Sequence, residues 1–213
     1  MALFKDKIDA GRQLAEKLNS FTGRPDMIVL GLPRDGVPVA REAAERLEAP
    51  LDIILTRILD VPGHVDVPLG LIASGGVKVL NLDALRDLGI SEPSLENLVS
   101  RQRGEMQALE QYYRGGRPYP ELRGQTVILV DDGLGDRQRL SAAAAALREL
   151  DPERIIAAVP AGTDALCTAV TKRVDELICV YPGQETEDPK NWYADISETT
   201  DEDVREILSS YSK

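Results

Sequence analysis

The chain is poor in the residues that usually announce a site. Two cysteines in 213 residues, Cys167 and Cys179, make no disulfide framework. They read as small buried hydrophobes. The single histidine, His64, sits in the Pro- and Gly-containing stretch Asp60 to Pro68, which reads as a mobile loop. A lone loop histidine reads as solvent-facing, and His64 is only a residue to locate. Aromatics are 4% of the chain, so the adjacent Trp192 and Tyr193 stand out. No apolar run approaches the roughly 20 residues that a membrane span needs. MALFKDKIDA has no long apolar core and does not read as a signal peptide, so the cytoplasm is the default. Basic charge is in deficit, 25 Lys and Arg against 36 Asp and Glu, a net charge of −11. That balance argues against general nucleic-acid affinity and suits a protein handling small molecules. There is no internal repeat, and Ala142 to Ala146 is simply good helix former.

What is present is a hydrophobic content of 43% and a regular alternation of short apolar runs with amphipathic segments. The clearest unit is TVILVDDGLGDRQRL, Thr126 to Leu140. Thr126 to Val130 is too short for a helix and fits a buried parallel strand. Asp131 and Asp132 follow, then Gly133 and Gly135, then a helix from near Asp136 to about Leu150. An open α/β sheet puts its ligand outside the carboxyl end of such a strand. The N-terminus of the helix offers free N–H groups to a phosphate. Adjacent acids can accept from two vicinal hydroxyls or hold Mg2+ through oxygen. Together these features suggest a ribose phosphate, with at least one carboxylate turned away from the core into an open cleft.

The order of elements around this unit predicts an α/β fold with a mostly parallel central sheet flanked by helices. The pattern predicts helices over Phe4 to Phe21, Val37 to Leu47, Leu82 to Leu88, Ser91 to about Arg114, Asp164 to about Arg173 and Thr200 to Ser209. It predicts strands at Met27 to Leu32, Leu51 to Thr56, Arg154 to Val159 and Glu176 to Val180. Leu69 to Ala73 and Val77 to Asn81 read as a hairpin. Residues 57–125 then form one insertion between sheet strands, within a single domain 1–213. Arg101, Arg103 and Arg114, with Glu105 and Glu110, read as a solvated, partly paired helix face.

The strand followed by Asp131 and Asp132 resembles the signature of the type I phosphoribosyltransferases, and the resemblance covers nearly the whole chain. It implies transfer of ribose 5-phosphate from Mg2+-bound phosphoribosyl pyrophosphate to a nitrogen nucleophile, with Asp131 and Asp132 on the ribose hydroxyls and on the metal. It implies that the insertion 57–125 supplies a hood and a flexible loop. The turn Pro33, Arg34, Asp35, Gly36 matches the pyrophosphate loop, where relatives read Pro-Arg-Gly-Gly, and Asp35 would repel the pyrophosphate, help hold a metal, or stand near the N-cap. Arg57 keeps one member of a basic pair, and Ile58 replaces the other. The 5-phosphate would lie against Gly133, Gly135, Asp136, Arg137, Gln138 and Arg139, the last four standing where the family has Thr-Gly-x-Thr. Trp192 and Tyr193 would stack on a base, or else anchor the tail. A homodimer is implied as possible. Two further readings stand beside transfer. One is a non-catalytic nucleotide- or ribose-phosphate-binding or regulatory protein on the same fold. The other is a phosphate-ester hydrolase using the acid pair with Mg2+, which lacks a second acid cluster.

Overall fold

The computed structural model describes residues 2–60, 68–134, 137–184 and 189–211, without the side chains of Arg137 and Pro189. His64, Gly135 and Asp136 lie outside the described residues.

Five parallel strands form the main sheet in the order β2-β1-β6-β7-β8. They are β1 (Met27–Gly31), β2 (Leu51–Ile53), β6 (Thr126–Val130), β7 (Arg154–Gly162) and β8 (Glu176–Pro182). The run Thr126–Val130 is the middle strand, paired with β1 on one side and β7 on the other. Alternation along these strands sends residues to two cores. Val29, Ile128, Val130 and Ile156 meet α1 (Lys7–Lys17), α2 (Gly36–Leu47), α4 (Glu92–Arg114) and α7 (Asp201–Ser210). Leu30, Val127, Leu129 and Ile155 meet α5 (Arg137–Arg148) and α6 (Asp164–Thr171) on the opposite face. Both faces are covered, which is why the strands are continuous apolar runs rather than alternating ones.

The helices begin where the local chemistry dictates. Ser91 caps α4 by accepting from the Ser94 amide, and Thr163 caps α6 by accepting from the Leu166 amide. Thr200 and Asp203 form a reciprocal capping box at α7. Gly115, in the left-handed region, stops α4.

A second, antiparallel sheet, in the order β3-β4-β5, comes from β3 (Thr56–Leu59), β4 (Gly70–Ala73) and β5 (Lys78–Leu80). The short α3 (Leu82–Asp87) links it to α4. The single strand expected over Leu51 to Thr56 is in fact two. The Ile54 amide still donates to Gly31 O, but Leu55 exchanges hydrogen bonds with Ser74 instead, its amide donating to Ser74 Oγ and its carbonyl accepting from Ser74 N. Those bonds pull the chain out of the main sheet and into the second one.

Two further expectations are corrected. Arg114 is buried rather than solvated, ion-paired with the buried Asp52 of β2. Cys167 and Cys179 are half-buried rather than core residues, and they face each other between α6 and β8. Among the described residues no helix is long and apolar enough to cross a membrane.

Candidate functional site

The sheet order reverses between β1 and β6, since β1 leads outward to β2 on one side while β6 leads to β7 on the other. Ligands of open α/β sheets bind at such a point. Two loops meet there. After β1, the chain turns through Pro33, Arg34 and Asp35 into α2, with the Leu32 amide donating to Val130 O. The Pro33–Arg34 peptide is cis. Gly36 opens α2 against the other loop; a Cβ there would lie 3.0 Å from both Asp131 Cα and Val130 O. Glycine at 36 therefore lets the N-terminus of α2 abut the acid pair.

After β6 come Asp131 and Asp132, 0% and 4% exposed. Neither carboxylate faces open solvent, contrary to expectation, because each has found partners inside the protein. Asp131 Oδ1 accepts from Arg139 Nη2 at 2.7 Å. Asp132 Oδ1 accepts from the Leu134 amide, while the Asp132 carbonyl accepts from the Tyr193 hydroxyl at 2.6 Å. Arg139, on the first turn of α5, also donates from Nη1 to Pro33 O at 3.0 Å. It thus clasps the two loops together, a role that a phosphate-binding reading of the residue did not anticipate.

Asp35 sits at the N-cap position of α2 but makes no side-chain capping bond there. Its Oδ1 instead accepts from Lys7 Nζ at 2.6 Å and from the Thr199 amide at 3.0 Å. The chain's two ends are joined across this loop. Lys7 and Thr199 gave no sequence signal, because they lie 28 and 164 residues from Asp35.

The Arg34 turn opens onto a cavity of about 400 Å3, which Asp131 and Asp132 do not line, contrary to the expected cleft shared with the acid pair. Its polar wall is Arg34, Asp35, Thr56, Arg57, Arg139 and Asp201, and its apolar wall includes Leu55, Met106, Leu109 and Tyr113. Asp201 accepts from the Tyr113 hydroxyl at 2.6 Å. Among the described residues, Arg34 and Arg57 have no ion-pair partner, and both are exposed. Met106, Leu109, Tyr113 and Asp201 were missed as site residues; an apolar helix stripe carries no mark of which cavity it will wall. Ile58 and Gln138 line a second cavity, of about 490 Å3, between the small sheet and α5. Gly133 lies behind the acid pair, against Ala161 O.

Trp192 and Tyr193 are buried, 3% and 1% exposed, in a cluster with Phe4, Ala10 and Ala161. Neither offers an open face to a base; they anchor the tail on the sheet end.

Burial, then the charges of Asp131 and Asp35, push Asp132 up to about 7, with Arg139 opposing. Burial also works to raise Asp35, but hydrogen bonds from Lys7 and Thr199 outweigh it and hold that carboxyl below its ordinary value. Arg139 is held above its ordinary value, because Asp131 outweighs the burial that works the other way. The sign for stability follows from Asp132. The folded protein keeps a proton there that the unfolded chain releases near pH 4, so stability falls as pH rises from about 4 to about 7. Asp132→Asn keeps the acceptor for the Leu134 amide and removes this loss. It is expected to match the parent at pH 4 and to exceed it at pH 8 by up to ~4 kcal/mol, since each pKa unit is worth about 1.4 kcal/mol. Urea unfolding at the two pH values checks it; an equal margin at both would refute the burial of a charge as the cause.

These side chains do not fit a metal held by the protein itself. Asp131 is already bound by a guanidinium, Asp132 is held partly protonated near neutrality, and Asp35 is bound by an ammonium. Among the described residues no group of three or more His, Cys, Asp or Glu could hold a metal ion.

Residues 4–197 match the family model described as phosphoribosyl transferase domain. A Mycobacterium tuberculosis protein whose name assigns it provisionally to the phosphoribosyl transferases is 35% identical over 208 residues. The match covers 98% of this chain and 47% of that protein, so the chain spans about half the length of the curated relatives it matches. A crystal structure of a Thermus thermophilus protein superposes with a TM-score of 0.86 at 36% identity, covering 100% of both chains.

Proposed function

The chain belongs to the phosphoribosyl transferase domain family, and from that premise we propose that the β1–β6 cleft binds phosphoribosyl pyrophosphate and transfers its ribose 5-phosphate to a nitrogen nucleophile. The observation that carries this reading is the meeting of the Arg34 turn and the Asp131–Asp132 loop across Gly36, beside a cavity bordered by Arg34 and Arg57, both exposed and without an ion-pair partner among the described residues. Arg34 and Arg57 would take the pyrophosphate, guanidinium being a strong charge-assisted donor to phosphate oxygens. The acid pair would accept from ribose hydroxyls. The amides at the start of α5 would face the 5-phosphate. In the reaction the C1–pyrophosphate bond breaks as the nitrogen attacks C1, and the arginines stabilise charge developing on the departing pyrophosphate.

A second reading, binding without turnover, is favoured by one specific feature. Asp35 stands in the pyrophosphate turn and is committed to Lys7 and Thr199, so it holds the chain ends rather than a substrate. An acid there weakens attraction for a pyrophosphate. We expect weak binding and slow or absent transfer.

Calorimetric titration with phosphoribosyl pyrophosphate tests the shared part of both readings. Arg34→Ala and Arg57→Ala are each expected to weaken binding by about 10- to 100-fold, the usual worth of a hydrogen bond to a charged group. Pyrophosphate release with a panel of bases then separates transfer from binding. Absence of any binding at millimolar ligand would sink both.

A further inference from the structure

The Arg34 turn carries an acid on the wall of a cavity suited to an anion, and Lys7 stands behind that acid. Asp35 lines the cavity together with Arg34 and Arg57, and its side chain is 36% exposed. Burial works to keep it protonated, but the bonds from Lys7 and Thr199 outweigh burial, so it stays ionised near neutrality. The other charged groups of the described lining are Arg139, already given to Asp131, and Asp201, which accepts from the Tyr113 hydroxyl. Among the described residues, Arg34 and Arg57 thus face Asp35 and Asp201, and the lining by itself holds little net attraction for an anion.

Lys7 tips that balance from outside the described lining. Its Nζ lies 2.6 Å from Asp35 Oδ1, with the side chain only 12% exposed. It also donates to Ser197 O and to Thr199 Oγ1, both neutral acceptors. A tie between the chain ends needs only neutral donors, and burying an ammonium for that alone would cost desolvation with no opposite charge to offset it. The opposite charge here is the acid of the Arg34 turn. A carboxylate released from Lys7 would be free to pair with Arg34, its neighbour in the chain, or with Arg57 on the same cavity. Either pairing would take a guanidinium away from a phosphate.

We propose that Lys7 is a positioning residue of the anion site: its ammonium cancels the charge of Asp35 and keeps that carboxylate off the cavity arginines, so that the Arg34 turn can take a pyrophosphate group although it carries an acid. This rests on the ribose-phosphate reading of the cleft. Lys7 acts through Asp35 and touches no ligand. The Thr199 amide, on the same Oδ1 at 3.0 Å, fixes the carboxylate's direction, while Lys7 supplies the charge.

The test titrates the full chain with inorganic pyrophosphate and with phosphoribosyl pyrophosphate by calorimetry at fixed ionic strength. Lys7→Gln, which keeps a donor and loses the charge, is expected to weaken binding of both by about tenfold. Lys7→Arg should recover most of that loss. Asp35→Asn should bind both about threefold or more tightly than the parent. The double variant Lys7→Gln with Asp35→Asn restores the charge balance of the turn and should come within about threefold of the parent. A lysine that only held the chain ends would leave the double variant as weak as Lys7→Gln. Thermal unfolding verifies that the variants fold, and if Lys7→Gln does not, Asp35→Asn decides alone. Lys7→Gln binding like the parent, a double variant as weak as Lys7→Gln, or Asp35→Asn binding no tighter than the parent overturns the proposal and leaves the ribose-phosphate reading standing. A parent that binds neither ligand overturns both.

Discussion

Arg114→Ala is expected to destabilise the protein by about 3–5 kcal/mol, the cost of stranding one member of a buried ion pair. Arg114 is the last residue of α4, 4% exposed. Its Nε donates to Asp52 Oδ1 at 2.8 Å and its Nη2 to Ile53 O at 2.8 Å. Glu110 pairs with it one turn back, and the Tyr119 ring lies 4.7 Å away, face to the guanidinium. Asp52 is itself only 7% exposed. Removing the arginine leaves a buried carboxylate whose remaining donor is the Ile53 amide, and it unpins α4 from the edge strand of the main sheet. The effect should reach the cleft, since Ile54 and Leu55 next to this joint line the cavity, as do Met106 and Leu109 of α4. Urea unfolding measures the loss. The double variant Asp52→Leu with Arg114→Met should lose clearly less than Arg114→Ala alone, because the buried Asp52 charge is then removed along with its partner. A single-variant loss below about 1 kcal/mol, the range of exposed pairs, would mean that Asp52 is solvated in solution.

The second large effect is expected at Gly133. Its φ is +85°, and a Cβ built there would stand 2.1 Å from Ala161 O. No side-chain rotation relieves that contact, because the neighbour is backbone of β7. Gly133→Ala combines left-handed strain, about 1–2 kcal/mol, with overpacking, about 1–3 kcal/mol. A total of about 2–5 kcal/mol follows, and the turn bearing Asp131 and Asp132 must shift to admit the methyl. Gly124→Ala is the control. It has φ +70° and nothing within 4 Å of the added Cβ, so it should show the strain alone. Equal thermal shifts for the two would show that the Ala161 contact relaxes freely. Ligand titration should show weakened binding for Gly133→Ala only.

The loop after β6 shows where reading a sequence stops. The strand Thr126–Val130, its place at the centre of the sheet and the position of Asp131 and Asp132 at its carboxyl end were legible from a short apolar run followed by two acids. The pairing of Asp131 with Arg139 was not. Helix periodicity says which residues share a face, but it does not say that a first-turn arginine folds back over the preceding loop to a carboxylate eight residues earlier. The aromatic pair is similar. Composition marked Trp192 and Tyr193 as unusual, and only the packing of Phe4 and Ala161 against them shows that they close the sheet end.

By itself the sequence determined what depends on neighbours along the chain. The strand and helix segments follow from apolar period, the caps at Ser91, Thr163 and Thr200 from side chains placed to accept the first free amides, and the parallel, two-face-covered sheet from continuous apolar strands. Tertiary structure alone decided which charges are buried and with whom. Arg114 looks like any arginine of a solvated helix until β2 brings Asp52 beneath it. Asp35 looks like an N-cap until Lys7 and Thr199 arrive from the two ends of the chain. The physical reason is that burial and ion pairing depend on distances in space between groups far apart in sequence. No local pattern encodes those distances.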